Sequence, residues 1–226
     1  MSGHLYIVAT PIGNLEDVSQ RSLRILKDVD LIAAEDTRQT QKLLARYEIV
    51  KPLISYHEHN EKKKTAELIG ELQAGRSIAL VTDAGTPGIS DPGAELVRAA
   101  IGAGIPLTPL PGPSAFLLAL VASGLPADQF CFEGFLSSSP KMRRRRLREL
   151  AAEERTMIFY EAPHRIAKTL KDMAGVFGND RPACLARELT KLYEEIRRGT
   201  LTELLEYTSA AQPKGEITLV IKGKAD

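Results

Sequence analysis

Short aliphatic and β-branched runs alternate with amphipathic patterns through the first half of the chain. Runs of this kind bounded by Gly, Pro, Asn and Asp read as strands, and apolar positions spaced three and four apart read as helices. Strands are expected at 5–9, 30–33, 52–55, 78–82 and 106–109, with helices at 19–26, 40–47, 65–73 and 94–103. Such alternation predicts a largely parallel α/β sheet. A wholly apolar segment, 115–122, then runs into Gly124-Leu125-Pro126, which breaks the pattern. The domain boundary is therefore expected there, with a first α/β domain at 1–122 and a second at 123–226. The second carries strand patterns at 130–135, 156–160, 183–189 and 216–222, and helical ones at 141–154, 165–176 and 201–207. No self-similarity at a period of roughly 20–50 residues indicates a solenoid.

Three strands of the first domain run into loops rich in Gly, Pro, Ser and Thr: Thr10-Pro11-Ile12-Gly13-Asn14, the stretch from Asp83 to Gly93 (DAGTPGISDPG), and Leu110-Pro111-Gly112-Pro113-Ser114-Ala115. Gly accepts positive φ and Pro fixes φ, so these loops have tightly shaped backbones able to approach a ligand closely. Ligands of open α/β sheets lie beyond the carboxyl ends of the strands, where these loops fall. The chain has no G-x-x-x-x-G-K-[ST] loop, and no G-x-G-x-x-G follows the first strand, which argues against ATP hydrolysis and ordinary dinucleotide chemistry.

Composition changes this picture little. With 226 residues and 43% hydrophobic content, the chain can bury two cores, and its net charge of +1 leaves any polyanion-binding site to be local. Charge is concentrated from Lys141 to Arg148, where six of eight residues are cationic. Cys131 and Cys184 lie in apolar stretches and are expected to behave as small buried hydrophobes. His57-Glu58-His59 has no third ligand nearby in sequence and reads as a solvated loop rather than a metal site, and Lys62-Lys63-Lys64 as a solvated helix start. The chain opens on its first strand pattern with no leader before it, and no apolar span reaches membrane-crossing length. A cytoplasmic protein without a membrane partner is the expectation.

The stretches VATPIGNLEDVSQRSL, AAEDTR, LVTDAGTPGISDPG, PLPGPSA, YEAPHR, RELTKLYEE and KGEITLVIKG occur in order over about 5–223. In content and order they resemble the tetrapyrrole-methylase superfamily and, within it, the RsmI family of 16S ribosomal RNA (cytidine 2′-O)-methyltransferases. The resemblance implies a two-domain α/β, class III methyltransferase fold with S-adenosylmethionine in the cleft between the domains, and a homodimer. It implies 2′-O-methylation of a cytidine in the decoding centre of 16S rRNA within the 30S subunit. Where tetrapyrrole-modifying relatives carry Gly-Asp-Pro, this chain has Gly85-Thr86-Pro87, which favours the RNA branch. Relatives continue into a small C-terminal module whereas this sequence stops at Asp226, so a weaker grip on RNA is expected if that module contributes to it.

By motif position the resemblance assigns the cofactor to Pro11, Ile12, Asp83, Gly85, Thr86, Ile89, Ser90, Ser114 and Ala115, with Tyr160, Leu189, Ile217 and Thr218 from the second domain. A ribose hydroxyl needs a proton acceptor or a charge that stabilises the alkoxide, and Asp36, Arg38 and Glu188 are the candidates. A structural ion pair or helix cap is the competing reading of all three. For RNA the candidates are Lys141, Arg143, Arg144, Arg145, Arg146 and Arg165. Four successive arginines wrap too far around a helix for all to meet Glu149, Glu153 and Glu154 at i+3 or i+4, and guanidinium suits bidentate phosphate contacts. Two other functions remain open: a tetrapyrrole (precorrin or uroporphyrinogen) C-methyltransferase, and a non-catalytic RNA-binding assembly factor, which would bind RNA but not the cofactor.

Overall fold

The computed structural model describes residues 3–224. It divides into two compact units between Ser114 and Ala115. The first contains β1 (Leu5–Val8), α1 (Gln20–Asp28), β2 (Leu31–Ala34), α2 (Thr37–Arg46), β3 (Leu53–Ser55), α3 (Glu61–Gln73), β4 (Ile78–Val81), α4 (Ala94–Gly102) and β5 (Leu107–Leu110). Its five strands are all parallel, in the order β3-β2-β4-β1-β5.

That order decides where the helices go. From β1 to β2 and on to β3 the chain moves toward one edge; from β3 to β4 to β5 it moves back. Because crossovers between parallel strands are right-handed, reversing direction changes the face that the helix covers. Two cores follow. On one face Val8, Ile32, Ala34, Ala79 and Val81 meet Leu26 of α1 and Leu44 of α2. On the other Leu5, Leu31, Ala33, Ile78 and Leu80 meet Leu68 and Leu72 of α3 and Leu96 of α4. Strands buried on both faces need continuous apolar runs, which is how β2 (LIAA) and β4 (IALV) read.

The second unit contains α5 (Ala115–Ser123), β6 (Phe130–Phe135), α6 (Pro140–Glu149), β7 (Thr156–Glu161), α7 (Ile166–Phe177), β8 (Pro182–Arg187), β9 (Glu195–Thr200), α8 (Leu201–Ala211) and β10 (Ile217–Ile221). Its sheet, ordered β6-β7-β10-β8-β9, is mixed: only β6 and β7 run parallel. Met157, Phe159, Leu185, Ile217, Leu219 and Ile221 point to a core completed by Leu147, Leu170, Met173 and Leu204 of α6, α7 and α8. The alternate residues, Ile158, Cys184, Ala186 and Val220, are buried on the opposite face, and α5 packs against these strands.

Three expectations change. Segment 115–122, expected in the first domain, forms α5 and packs on the second sheet; an apolar pattern says that a helix is buried and not which sheet buries it. β9 was not expected, because Glu195, Arg197 and Arg198 mask its pattern. An edge strand tolerates such charges, and they protect its open side from adventitious pairing. Arg197 lies over the Tyr207 ring at 3.8 Å, and Glu195 accepts hydrogen bonds from Arg187 and Tyr207. The strand expected at 183–189 ends at Arg187, so Glu188 and Leu189 begin a loop. Both cysteines are free thiols, Cys184 buried and Cys131 half-buried.

Candidate functional site

In the first unit, β4, β1 and β5 are neighbours, so the three shaped loops leave the sheet side by side. The β1 exit leads to one face and the β4 exit to the other, which makes their junction the crevice where open α/β sheets bind ligands. Hydrogen bonds join the loops there. Thr10 and Gly85 exchange backbone N–H···O bonds of 2.9 Å in both directions, and Thr10 Oγ1 donates to the Thr82 carbonyl at 2.9 Å. Thr86 Oγ1 donates to the Pro113 carbonyl at 3.2 Å, tying the second loop to the third. A Cβ on Gly112 would lie 2.6 Å from that of Ala9, so only glycine lets the third loop approach the first this closely. Gly85 has φ +82°, a conformation glycine adopts without strain. Ile12 is buried, Pro11, Thr86 and Ser114 are half-buried, and Ile89 and Ser90 are exposed.

Beside these loops, the β2 and β4 exits carry three carboxylates. Glu35 accepts the backbone N–H of Asp83 at 3.1 Å, and Asp83 accepts that of Asp36 at 3.0 Å. Partial burial raises the carboxyl of Glu35 above its ordinary value, and partial desolvation moves the surface-exposed Asp83 in the same direction. Asp36 differs. It caps α2 through the Arg38 N–H at 2.8 Å and grips the Arg38 guanidinium at 2.6 and 3.0 Å, which holds its carboxyl at about 2. The expectation that Asp36 could take a proton is corrected: its oxygens are committed to a cap and an ion pair. The Arg38 side chain remains 86% exposed. His57 is half-buried and contacts Asn60 through Nε2, while His59 approaches Glu58 at 3.4 Å.

In the second unit, Tyr160 and Thr218 are paired across β7 and β10 and face the α5 side. Ile217 faces the other way, into the core with Leu219 and Phe159, so its side chain is withdrawn from any ligand and only its backbone remains available. Glu188 opens the loop after β8, at φ 50°. Burial raises its carboxyl, but the Glu216 N–H and Lys191 ammonium, both at 2.9 Å, outweigh this and hold it below the usual range. A Cβ on Gly215 would clash with Glu188, so the carboxylate packs on bare backbone. As with Asp36, the structural role of Glu188 prevails.

The cationic helix is also reassigned in part. Arg143 is 4% exposed and pairs with Asp172 of α7 at 2.6 Å. Arg144 reaches the same Asp172 at 3.5 Å, and Arg146 pairs with Glu133 of β6 at 2.8 Å and with Glu149. Asp172 and Glu133, contributed by other elements, supply partners that spacing along the helix does not reveal. Arg165 is corrected too: it donates to the Leu136 carbonyl at 2.6 Å and pairs with Glu161, which is only 2% exposed. Lys141, Arg144, Arg145 and Arg148 remain exposed.

The chain matches the tetrapyrrole (corrin/porphyrin) methylase family over residues 4–205. Among curated proteins, the ribosomal RNA small subunit methyltransferase I of Synechocystis sp. is 55% identical over 98% of this chain and 79% of its own length. That of Xylella fastidiosa is 54% identical over 99% of this chain and 83% of its own. The chain belongs to the ribosomal RNA small subunit methyltransferase I family. This chain shares the fold of uroporphyrin-III C-methyltransferase from Thermus thermophilus, whose structure overlays with a TM-score of 0.68 at 21% identity, covering 97% of this chain and 94% of that one. A second structure of that enzyme, in complex with S-adenyl homocysteine, gives 0.66 at 19% identity, covering 96% and 97%.

Two features of the structure lie outside the residues that the motifs assign. Glu35 was visible only as a neighbour of Asp36; its pairing with Asp83 depends on β2 and β4 being adjacent. Phe135 ends β6 beside a register shift, for which the sequence signal is Gly134, because glycine inside a strand pattern marks a bulge.

Proposed function

We propose that the chain is an S-adenosylmethionine-dependent methyltransferase that modifies the ribose 2′-hydroxyl of a cytidine in the 16S rRNA decoding centre of the 30S subunit, acting in the cytoplasm as a homodimer. The observation that carries this reading is identity above one half, over nearly the whole chain, with proteins named ribosomal RNA small subunit methyltransferase I. The loops suit the cofactor. None of the three contains a cationic side chain, and their backbone amides, small side chains and Asp83 suit a nucleoside carrying a positive charge.

S-adenosylmethionine, when bound, supplies an electrophilic methyl group on a sulfonium. The protein supplies alignment and exclusion of water. Gly85, Thr86, Ile12 and Ser114 hold the cofactor through the joined loops, and Tyr160, Leu189 and Thr218 are the second unit's contributors. The hydroxyl proton passes to a carboxylate whose basicity desolvation has raised, for which the half-buried Glu35 and, at the surface, Asp83 qualify and Asp36 does not. Asp36 orients Arg38, whose exposed guanidinium offers positive charge to the developing alkoxide or the adjoining phosphate. Lys141, Arg144, Arg145 and Arg148 hold the RNA backbone.

The test is incubation of purified 30S subunits with the protein and methyl-labelled cofactor, followed by nuclease digestion and mass spectrometry. Label on a cytidine ribose is expected. Label on a base, or none in the RNA, would refute the reading.

A further inference from the structure

Strand β6 reads Phe130-Cys131-Phe132-Glu133-Gly134-Phe135 and forms the edge of the second sheet. Its register against β7 slips between Phe132 and Gly134: Phe132 faces Ile158, Gly134 faces Phe159 and Phe135 faces Tyr160. Glu133 is the extra residue, and Gly134 takes φ +63°. In a regular strand, residues 132 and 135 point to opposite faces. The bulge turns Phe135 onto the face of Phe132 and Tyr160. Bulges at sheet edges commonly re-aim a side chain in this way.

The result is an aromatic row. Phe116 of α5 stacks on Phe132 at 4.7 Å between centroids, Phe132 meets Tyr160 edge-on at 5.0 Å, and Phe135 lies 5.5 Å from Tyr160. Phe135 ends the row and is 61% exposed. Isolated surface hydrophobics are ordinary in proteins. This one is held from both sides. Before it stands the bulge; after it Leu136 is buried in the core, with its carbonyl gripped by Arg165, which the buried Glu161 holds in turn. The segment 136–139 then leads directly into α6, with its exposed Lys141, Arg144 and Arg145.

A solvent-facing aromatic ring, flanked by a bulge and a buried leucine and followed closely in the chain by a cationic helix, is the combination that holds unpaired nucleotides, with cations on the backbone and rings against the bases. We propose that Phe135 is a stacking platform for a nucleobase of the RNA substrate at or beside the nucleotide being modified. This rests on the RNA methyltransferase reading and adds a residue that positions the substrate.

The test compares Phe135→Ala, Phe135→Leu and Phe135→Trp in the full chain. kcat/KM is measured with 30S subunits, S-adenosylhomocysteine affinity by calorimetry, and melting temperature alongside. Ala and Leu should each lower kcat/KM for 30S subunits by about tenfold or more, Trp should retain it, and affinity for S-adenosylhomocysteine should stay unchanged in all three. Leu fills much of the same apolar space without a π face, so it separates stacking from packing should Ala prove poorly folded. Full activity in Phe135→Leu would overturn the proposal, as would a loss of S-adenosylhomocysteine affinity matching the loss of activity, which would make Phe135 a support for Tyr160. Failure of the wild-type protein to methylate 30S subunits would instead refute the underlying functional reading.

Discussion

Gly85 combines a left-handed backbone with enough space for a Cβ, whose nearest neighbours would be Ile12 Cγ2 at 3.6 Å and the Pro113 carbonyl at 3.9 Å. Gly85→Val should therefore cost about 1–3 kcal/mol of stability through backbone strain. The branched side chain also projects among the loops assigned to the cofactor. S-adenosylhomocysteine affinity measured by calorimetry should fall by more than the stability loss accounts for; equal affinity would make the loop a turn only. Asp36 gives a prediction with a sign. Its folded value of about 2 lies below the ordinary 3.8, so its contribution to stability is complete above about pH 4 and is lost as pH falls toward 2. Asp36→Asn should melt lower than wild type at pH 7, and the difference between the two should shrink across that acid window in a series of thermal scans.

At the scale of elements, α6 divides into a buried and an exposed side. Arg143 is buried against Asp172, and removing one partner of a buried pair leaves the other charge uncompensated. Arg143→Gln should lower the unfolding free energy by about 3 kcal/mol in denaturant titrations. Replacing Lys141, Arg144, Arg145 and Arg148 together by Gln should leave stability within about 1–2 kcal/mol of wild type, because these side chains are exposed. The same quadruple variant should bind 30S subunits more weakly, with a shallower dependence of log K on log salt, since fewer phosphates are neutralised. An unchanged salt slope would place the RNA grip elsewhere. The charge run was plain in the sequence. Its division into buried and exposed members was not, because Asp172 and Glu133 reach it from α7 and β6.

For the whole molecule, ligand linkage gives a further prediction: S-adenosylhomocysteine at 100 times its dissociation constant should raise the unfolding free energy by about 2.7 kcal/mol, read as a rise in melting temperature. No rise would mean that the native protein does not bind it. Much of the architecture was already determined by local sequence. Aliphatic runs and amphipathic stripes marked four of the five second-unit strands, all five first-unit strands and the three shaped loops, because burial on one or two faces imposes its own period on the chain. Tertiary structure alone decided the rest. Strand order brought the β1, β4 and β5 exits together and paired Glu35 with Asp83; α5 went to the second sheet, β9 formed a charged edge, and the bulge at Gly134 turned Phe135 outward beside Tyr160. These outcomes depend on which partner a residue meets across long stretches of chain, and hydrophobic period records how deeply a residue is buried without recording against what.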